Sequence, residues 1–94
     1  MTYKLNFFKS ALKEWKALAP TIKEQFKKKL AERLENPHVA SARLCGPKNN
    51  RYKIKLKSLG YRLVYQVEEQ EIVVTVVAVG KREGNEAYKL AEKR

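Results

Sequence analysis

The hydrophobic period of the chain changes near Arg51, and this change restricts the fold more than any other feature of the sequence. Between Ala11 and Leu34, apolar residues recur every three or four positions, as they do on one face of a helix. After it, Tyr52, Ile54 and Leu56 alternate with basic residues, which is typical of a strand with one buried face. The chain therefore predicts helices followed by a sheet, packed together in the α+β class.

The helical part predicts two amphipathic helices in succession. The apolar row of the first helix is Ala11, Leu12, Trp15, Leu18 and Ala19, and Pro20 stops it. The apolar row of the second helix is Ile22, Phe26, Leu30 and Leu34, and Asn36 and Pro37 end it. Because Thr21 and Glu24 have the spacing of a capping box, we expect the second helix to begin at Thr21.

The remaining segments predict four strands and a final helix. A short strand is expected around Tyr3, Leu5 and Phe7, and the strands at 51–57 and 61–68 are joined by a turn at Gly60. Residues 72–79 are apolar at nearly every position, which favours the most buried strand, and residues 83–94 favour a helix. The predicted order is β-α-α-β-β-β-α in a single domain (1–94), with the helical hairpin on one face of a small, mainly antiparallel sheet.

Positive charge is concentrated in one segment of the chain. The formal net charge is +11, and residues 43–62 contain seven Lys or Arg residues and no acid. Such a block repels itself in the folded state, which favours a polyanionic partner, above all nucleic acid. A basic face that serves only solubility is the alternative, although such faces usually intersperse acids, as residues 9–42 do.

Two further observations restrict the class of protein. No apolar run approaches the roughly 20 residues that a membrane span requires, and the N-terminus lacks the apolar region of a signal peptide. We therefore expect a cytoplasmic protein with no membrane partner. Cys45 is the only cysteine, so the chain can build neither a disulfide nor a multi-cysteine metal site.

The predicted sheet can bring several basic groups to one surface. The candidates are Lys53, Lys55 and Lys57 on one strand face, Arg62 after the turn, and Lys81 and Arg82 at the end of the buried strand, with Arg51 at the start of the basic strand and Tyr88 on the final helix. Attack by a ribose 2′-OH builds negative charge on phosphorus, which fixed cations stabilise, and an aromatic ring can stack on an unpaired base.

Proton transfer is harder to assign, because no histidine or carboxylate is expected among these basic groups. A free lysine or tyrosine has a pKa of about 10, but clustered cations favour the deprotonated form of both. A lysine or Tyr88 could therefore act as the base. From the residues alone, a surface that binds RNA without cleaving it stays equally open.

The same residues resemble a known family. The runs Tyr52 to Lys57, Gly60 to Val67, and Val79 to Glu83 with Tyr88 following are similar to the RelE branch of the RelE/ParE toxin superfamily. The resemblance covers nearly the whole chain in the expected order, including the two helices. It implies a toxin that cleaves mRNA in the ribosomal A site by 2′-OH attack and that a cognate acidic antitoxin neutralises; the antitoxin would also link it to operator DNA.

Carried over by position, the resemblance implies a role for each candidate. Lys53 and Lys55 would contact the substrate and transfer protons, and Arg62 would stabilise the charge of the transition state. Arg82 would hold the phosphate or assist the leaving group. Tyr88 would stack on a base and could accept the 2′-OH proton. Arg51, Lys57 and Lys81 are expected to contact RNA, including ribosomal RNA. No metal ion or other cofactor is expected. A DNA gyrase inhibitor of the ParE type and a non-catalytic RNA-binding module are the alternatives.

Overall fold

The computed structural model describes residues 2–44, 50–81 and 86–93. Its elements are, in chain order, β1 (Lys4–Phe7), α1 (Lys9–Lys16), α2 (Pro20–Glu35), a 3₁₀ turn (Ala40–Ala42), β2 (Arg51–Leu56), β3 (Tyr61–Glu68), β4 (Val73–Lys81) and α3 (Glu86–Lys93). This is the predicted order, and the α+β class is confirmed. None of the helices in these described ranges is long and apolar enough to cross a membrane.

The four strands form one mixed sheet in the order β1-β4-β3-β2. Both sequential hairpins, β2 with β3 and β3 with β4, are antiparallel, whereas β1 pairs in parallel with β4. The sequence left the partner of the first strand open. Helices α1 and α2 lie in the connection from β1 to β2, which is long enough for β1 to run in the same direction as β2 and therefore parallel to β4.

One face of the sheet packs against the helical hairpin. Phe26 and Leu30 of α2 are buried in one cluster with Ile54, Leu63 and other residues of the sheet, and Trp15, Ile22 and Leu34 pack against that cluster. The predicted row of α2 and most of that of α1 therefore face the sheet, but Leu12 is exposed and α1 ends at Lys16, before the predicted Leu18 and Ala19. The two helices bury the face of β2 that carries Tyr52, Ile54 and Leu56, the residues that alternate with its lysines.

The opposite face is covered in part by α3. Ala87 and Ala91 of this helix form a second buried cluster with Val64, Val77 and Ala78. The register of β3 and β4 shifts here, because Val64 lies opposite Ala78 and Tyr65 lies opposite Val76. This bulge leaves Val77 without an opposite partner and turns it to the α3 side with Ala78. Cover on both faces explains why nearly every residue of β4 is apolar.

The start of α2 differs from the prediction. The helix begins at Pro20 with Ala19 as its N-cap residue, and the cap has no side-chain hydrogen bond. Thr21 is thus already inside the first turn, so the predicted capping box is wrong. Proline determines this boundary because its fixed φ suits the first helical position and its missing N–H costs no hydrogen bond there.

Candidate nucleic-acid interface

The sheet register brings Lys55 and Arg62 side by side. Lys55 lies directly opposite Arg62 across the hairpin, and Arg62 lies opposite Gly80 on its other side. Directly opposed residues of an antiparallel pair project from the same face, with their Cβ atoms about 5 Å apart. Two of the predicted catalytic cations are therefore neighbours, and Gly80 adds no side chain to crowd Arg62.

A surface pocket coincides with this pair. It is a shallow depression open to solvent and is lined by Lys55, Leu56, Lys57, Tyr61 and Arg62. Lys55 and Lys57 are exposed, and Arg62 is half-buried. Three predicted site residues thus line one concavity, with the charge density that a phosphate group requires.

Lys53 precedes the pocket residue Lys55 on β2, and Lys81 is the last residue of β4. Lys53, which is half-buried, is opposite Val64, and its carbonyl oxygen accepts a 3.3 Å hydrogen bond from Nη1 of Arg33. Lys81 is exposed at the end of β4, opposite Tyr61. Arg82 and Cys45 lie outside the described residues.

Helix α3 places Tyr88 over Arg62. The guanidinium carbon of Arg62 lies 4.8 Å from the centroid of the Tyr88 ring, within the range of a cation–π contact. The Tyr88 hydroxyl oxygen is buried and has no hydrogen-bond partner among the described residues. A buried hydroxyl without a partner costs stability, and such groups concentrate at functional sites. The ring expected to close the edge of the basic face therefore lies on its central arginine.

Arg51 is placed differently from the other candidates. Its side chain is buried, with only 6% of the residue exposed. Nη1 donates a 2.6 Å hydrogen bond to the carbonyl oxygen of Ala91, while Nε and Nη2 each donate a 3.3 Å bond to Oε1 of Gln66. Burial lowers the pKa of this guanidinium, but an arginine stays charged at neutral pH. The expectation that Arg51 contacts RNA does not fit this placement.

Two polar partners of the sheet residues, Gln66 and Glu14, were not among the predicted site residues. Gln66 lies opposite Arg51 in the hairpin register, and its Nε2 donates to Oε1 of Glu68 at 2.8 Å. The signal was available, because the Gly60 turn fixes the register and therefore pairs position 51 with position 66. On the opposite face, Oε1 of Glu14 accepts a 3.1 Å bond from the backbone N–H of Val79, which no local pattern predicts.

His38 has two defined side-chain partners, and it belongs to the helical side of the sheet. Its Nε2 lies 3.0 Å from Oε1 of Glu69, and its Nδ1 lies 3.1 Å from the hydroxyl of Tyr52. Tyr52 belongs to the buried cluster beneath α1 and α2, whereas Lys53 and Lys55 alternate with it onto the other face. The histidine is therefore not part of the basic pocket.

The chain matches one protein family along most of its length. A family model described as the ParE toxin of the type II toxin–antitoxin system, parDE, matches residues 5–86. The mRNA interferase toxin RelE of Escherichia coli strain K12 is 53% identical over 94 residues, which span all of this chain and 98% of that protein.

Two solved structures of the E. coli toxin share the fold. A mutant of RelE in the free state superposes with a TM-score of 0.89 at 53% identity, covering all of this chain and 98% of that one. The toxin in the intact RelBE toxin–antitoxin complex has a TM-score of 0.81 at 53% identity, covering 84% of this chain and 95% of that one. The predicted resemblance to the RelE branch is confirmed.

Proposed function

Because this chain belongs to the RelE branch of the RelE/ParE toxin superfamily, we propose that it is an endoribonuclease that cleaves mRNA in the A site of the ribosome. One observation carries the proposal. Lys55 and Arg62 are paired across β2 and β3, with Tyr88 held 4.8 Å over the arginine. A phosphate between two fixed cations and an aromatic ring has the charge and stacking partners that cleavage requires.

In the proposed reaction, the 2′-oxygen of a ribose attacks the adjacent phosphorus and the bond to the 5′-oxygen of the next nucleotide breaks. The products are a 2′,3′-cyclic phosphate and a 5′-hydroxyl. Tyr88, Lys53 or Lys55 accepts the 2′-OH proton, and a second group returns a proton to the departing 5′-oxygen. Arg62 stabilises the charge that develops on the phosphorane oxygens, because its planar fork can contact two of them.

The remaining sequence-based roles are part of the same proposal. Arg82 holds the phosphate or assists the leaving group, and Lys57 and Lys81 bind the backbone of mRNA or ribosomal RNA. Both lysines are exposed next to the pocket, as phosphate contacts must be. Residues 1–94 act as a single cytoplasmic domain, and no metal ion takes part in the chemistry.

The partner that restrains the toxin is proposed to be a small acidic antitoxin. The E. coli relative has been solved in complex with its antitoxin RelB. Here an acidic chain would neutralise the basic pocket or displace α3, which rests on the sheet through Ala87 and Ala91. That antitoxin would connect the toxin indirectly to operator DNA. Co-expression with the adjacent reading frame should restore growth, and a toxic chain that no neighbouring gene rescues would contradict this part of the proposal.

The decisive experiment adds the purified protein to programmed ribosomes and, separately, to the same mRNA without ribosomes. New 5′ ends are then mapped by primer extension. Cuts at A-site codons that require the ribosome support the interferase. Inhibited DNA supercoiling without RNA cleavage would instead support a gyrase inhibitor of the ParE type, the alternative that the sequence resemblance left open. Retention of RNA without either activity would indicate a binding module.

A further inference from the structure

Arg51 connects the β2–β3 hairpin to the C-terminal end of α3. Its three guanidinium nitrogens are all used within the protein, one on the carbonyl oxygen of Ala91 and two on Oε1 of Gln66. The bond to Ala91, at 2.6 Å, is the shorter contact and joins residues 40 positions apart in the chain. A buried cation with these partners is a structural connection rather than a surface charge.

The carbonyl that Arg51 contacts belongs to the end of the helix. Helix α3 ends at Lys93, so the Ala91 carbonyl is among the last four, which lack partners within the helix. A cation at this end also interacts favourably with the helix dipole. Arg51 therefore satisfies an otherwise unpaired acceptor and stabilises the last turn of α3.

This support matters because α3 is short and its fully buried residues are small. It has eight residues, and a helix of that length is marginal in water by itself. Its fully buried residues are two alanines, which bury little apolar area, while Tyr88 and Leu90 pack against the same cluster as partly buried side chains. Tyr88 lies three residues before Ala91 and therefore on the same side of the helix. The position of the Tyr88 ring over Arg62 depends on how firmly α3 is docked.

We propose that Arg51 is a positioning residue for RNA cleavage, which holds α3 against β3 so that Tyr88 stays over Arg62. The inference rests on the proposed function for its catalytic consequence, whereas the docking of α3 is independent of it. Arg51 does not line the pocket, and each of its guanidinium nitrogens donates a hydrogen bond inside the fold. Its contribution to cleavage passes through Tyr88.

The test compares Arg51→Met, which keeps the unbranched stem of the side chain and removes its donors, with Lys89→Met, which removes an exposed cation from α3. Hydrogen exchange of the amides in α3 measures docking, and single-turnover cleavage at saturating protein on programmed ribosomes measures the chemistry. Arg51→Met should speed exchange in α3 and slow cleavage by about 10-fold to 100-fold, the cost of misplacing a reacting group slightly. Ribosome binding should change little, and Lys89→Met should match the wild type in both measurements.

A double mutant separates positioning from a general loss of stability. If Arg51 acts through Tyr88, adding Arg51→Met to Tyr88→Ala should slow cleavage no further, because the two changes remove the same contribution. Independent, multiplying effects would overturn the proposal, as would an Arg51→Met protein that exchanges and cleaves like the wild type. Should Arg51→Met fail to fold, Arg51→Gln replaces it, since this side chain is polar but shorter and uncharged, and wild-type exchange and cleavage in that variant would equally overturn the proposal.

The exchange measurement also distinguishes a failure of the proposed function from a failure of the positioning role. A wild-type protein that makes no ribosome-dependent cuts would defeat the proposed function. Faster exchange in α3 of Arg51→Met would then still establish the connection between Arg51 and the helix. Slow exchange in that variant together with active wild-type protein would defeat the positioning role alone.

Discussion

The guanidinium group of Arg62 and the ring of Tyr88 lie in contact, 4.8 Å from guanidinium carbon to ring centroid, although a whole strand, β4, separates them in the chain. Arg62 is on β3 and Tyr88 is on α3. Each restricts the other's rotamers. A pair arranged before substrate arrives loses less entropy on forming the transition state, which is how positioned cations surpass water as stabilisers of developing charge.

Removing either member of this pair should affect chemistry more than binding. We expect Arg62→Ala and Tyr88→Ala each to lower single-turnover cleavage by about 10²-fold to 10³-fold, the usual cost of one transition-state contact. The same effect is expected for Arg82→Ala. Ribosome binding should largely survive, because many other cations contribute to it. The measurement is cleavage of mRNA on programmed ribosomes at saturating protein.

The matched controls for this prediction lie on the helical hairpin. Lys13→Ala and Lys27→Ala remove exposed cations on α1 and α2, on the opposite side of the sheet from the pocket. Both variants should cleave at the wild-type rate. Equally mild effects of Arg62→Ala and Lys27→Ala would show that the basic face serves attachment only.

Tyr88→Phe should separate function from stability. The buried hydroxyl has no hydrogen-bond partner among the described residues, so its removal should leave the free energy of unfolding unchanged or raise it slightly. Cleavage should nevertheless fall if the hydroxyl accepts the 2′-OH proton, while stacking and the contact with Arg62 are kept. Urea unfolding and single-turnover cleavage provide the two readings. Undiminished cleavage would limit Tyr88 to stacking.

Lys57 and Lys81 should behave as phosphate contacts. Both are exposed. Lys57 lines the pocket, and Lys81 lies at the end of β4. For each alanine variant we expect modestly weaker binding and a salt dependence of the binding constant that is reduced by about one unit of slope. Titrations of ribosomes at several salt concentrations check this. A slope equal to that of the wild type would exclude the residue from the contact surface.

Tyr65 should make stability sensitive to alkaline pH. Its hydroxyl donates to the carbonyl of Pro37 at 2.8 Å and accepts from Nη1 of Arg33 at 3.0 Å, and burial raises its pKa above the ordinary value. Its contribution is thus complete below about pH 10, the pKa of the unfolded chain, and is lost as the pH rises through the higher folded pKa.

The corresponding variant is Tyr65→Phe. It should cost about 1–3 kcal/mol near neutral pH, because buried partners lose their hydrogen bonds. Above pH 10 the difference from the wild type should shrink, by at most about 1.4 kcal/mol per pH unit for a single proton. Unfolding curves from pH 7 to 11 measure it, and a constant difference across that range would contradict the assignment.

The hydrophobic period of the sequence predicted much of this fold. The alternation from Arg51 and the turn at Gly60, whose φ is +70°, fix the register that sets Lys55 beside Arg62. The rows at Ile22, Phe26, Leu30 and Leu34 fix the face of α2. Two signals for the start of α2 were present in the sequence, the proline at position 20 and the capping-box pattern at Thr21. The helix begins at Pro20, so the prediction from the capping-box pattern was wrong.

The sequence by itself determined the order of the elements, the two faces of the hairpin and the family, because periodicity, turn residues and motif order are properties of the linear chain. Only the tertiary structure decided that β1 joins β4 in parallel, that a bulge turns Val77 toward α3, and that Tyr88 rests on Arg62. It also decided that Arg51 is buried against Ala91, although its neighbours in the basic run include the exposed Lys55 and Lys57. Local patterns assign a side chain to a face, but whether that face meets solvent or a helix depends on contacts between residues 40 positions apart, which no local pattern encodes.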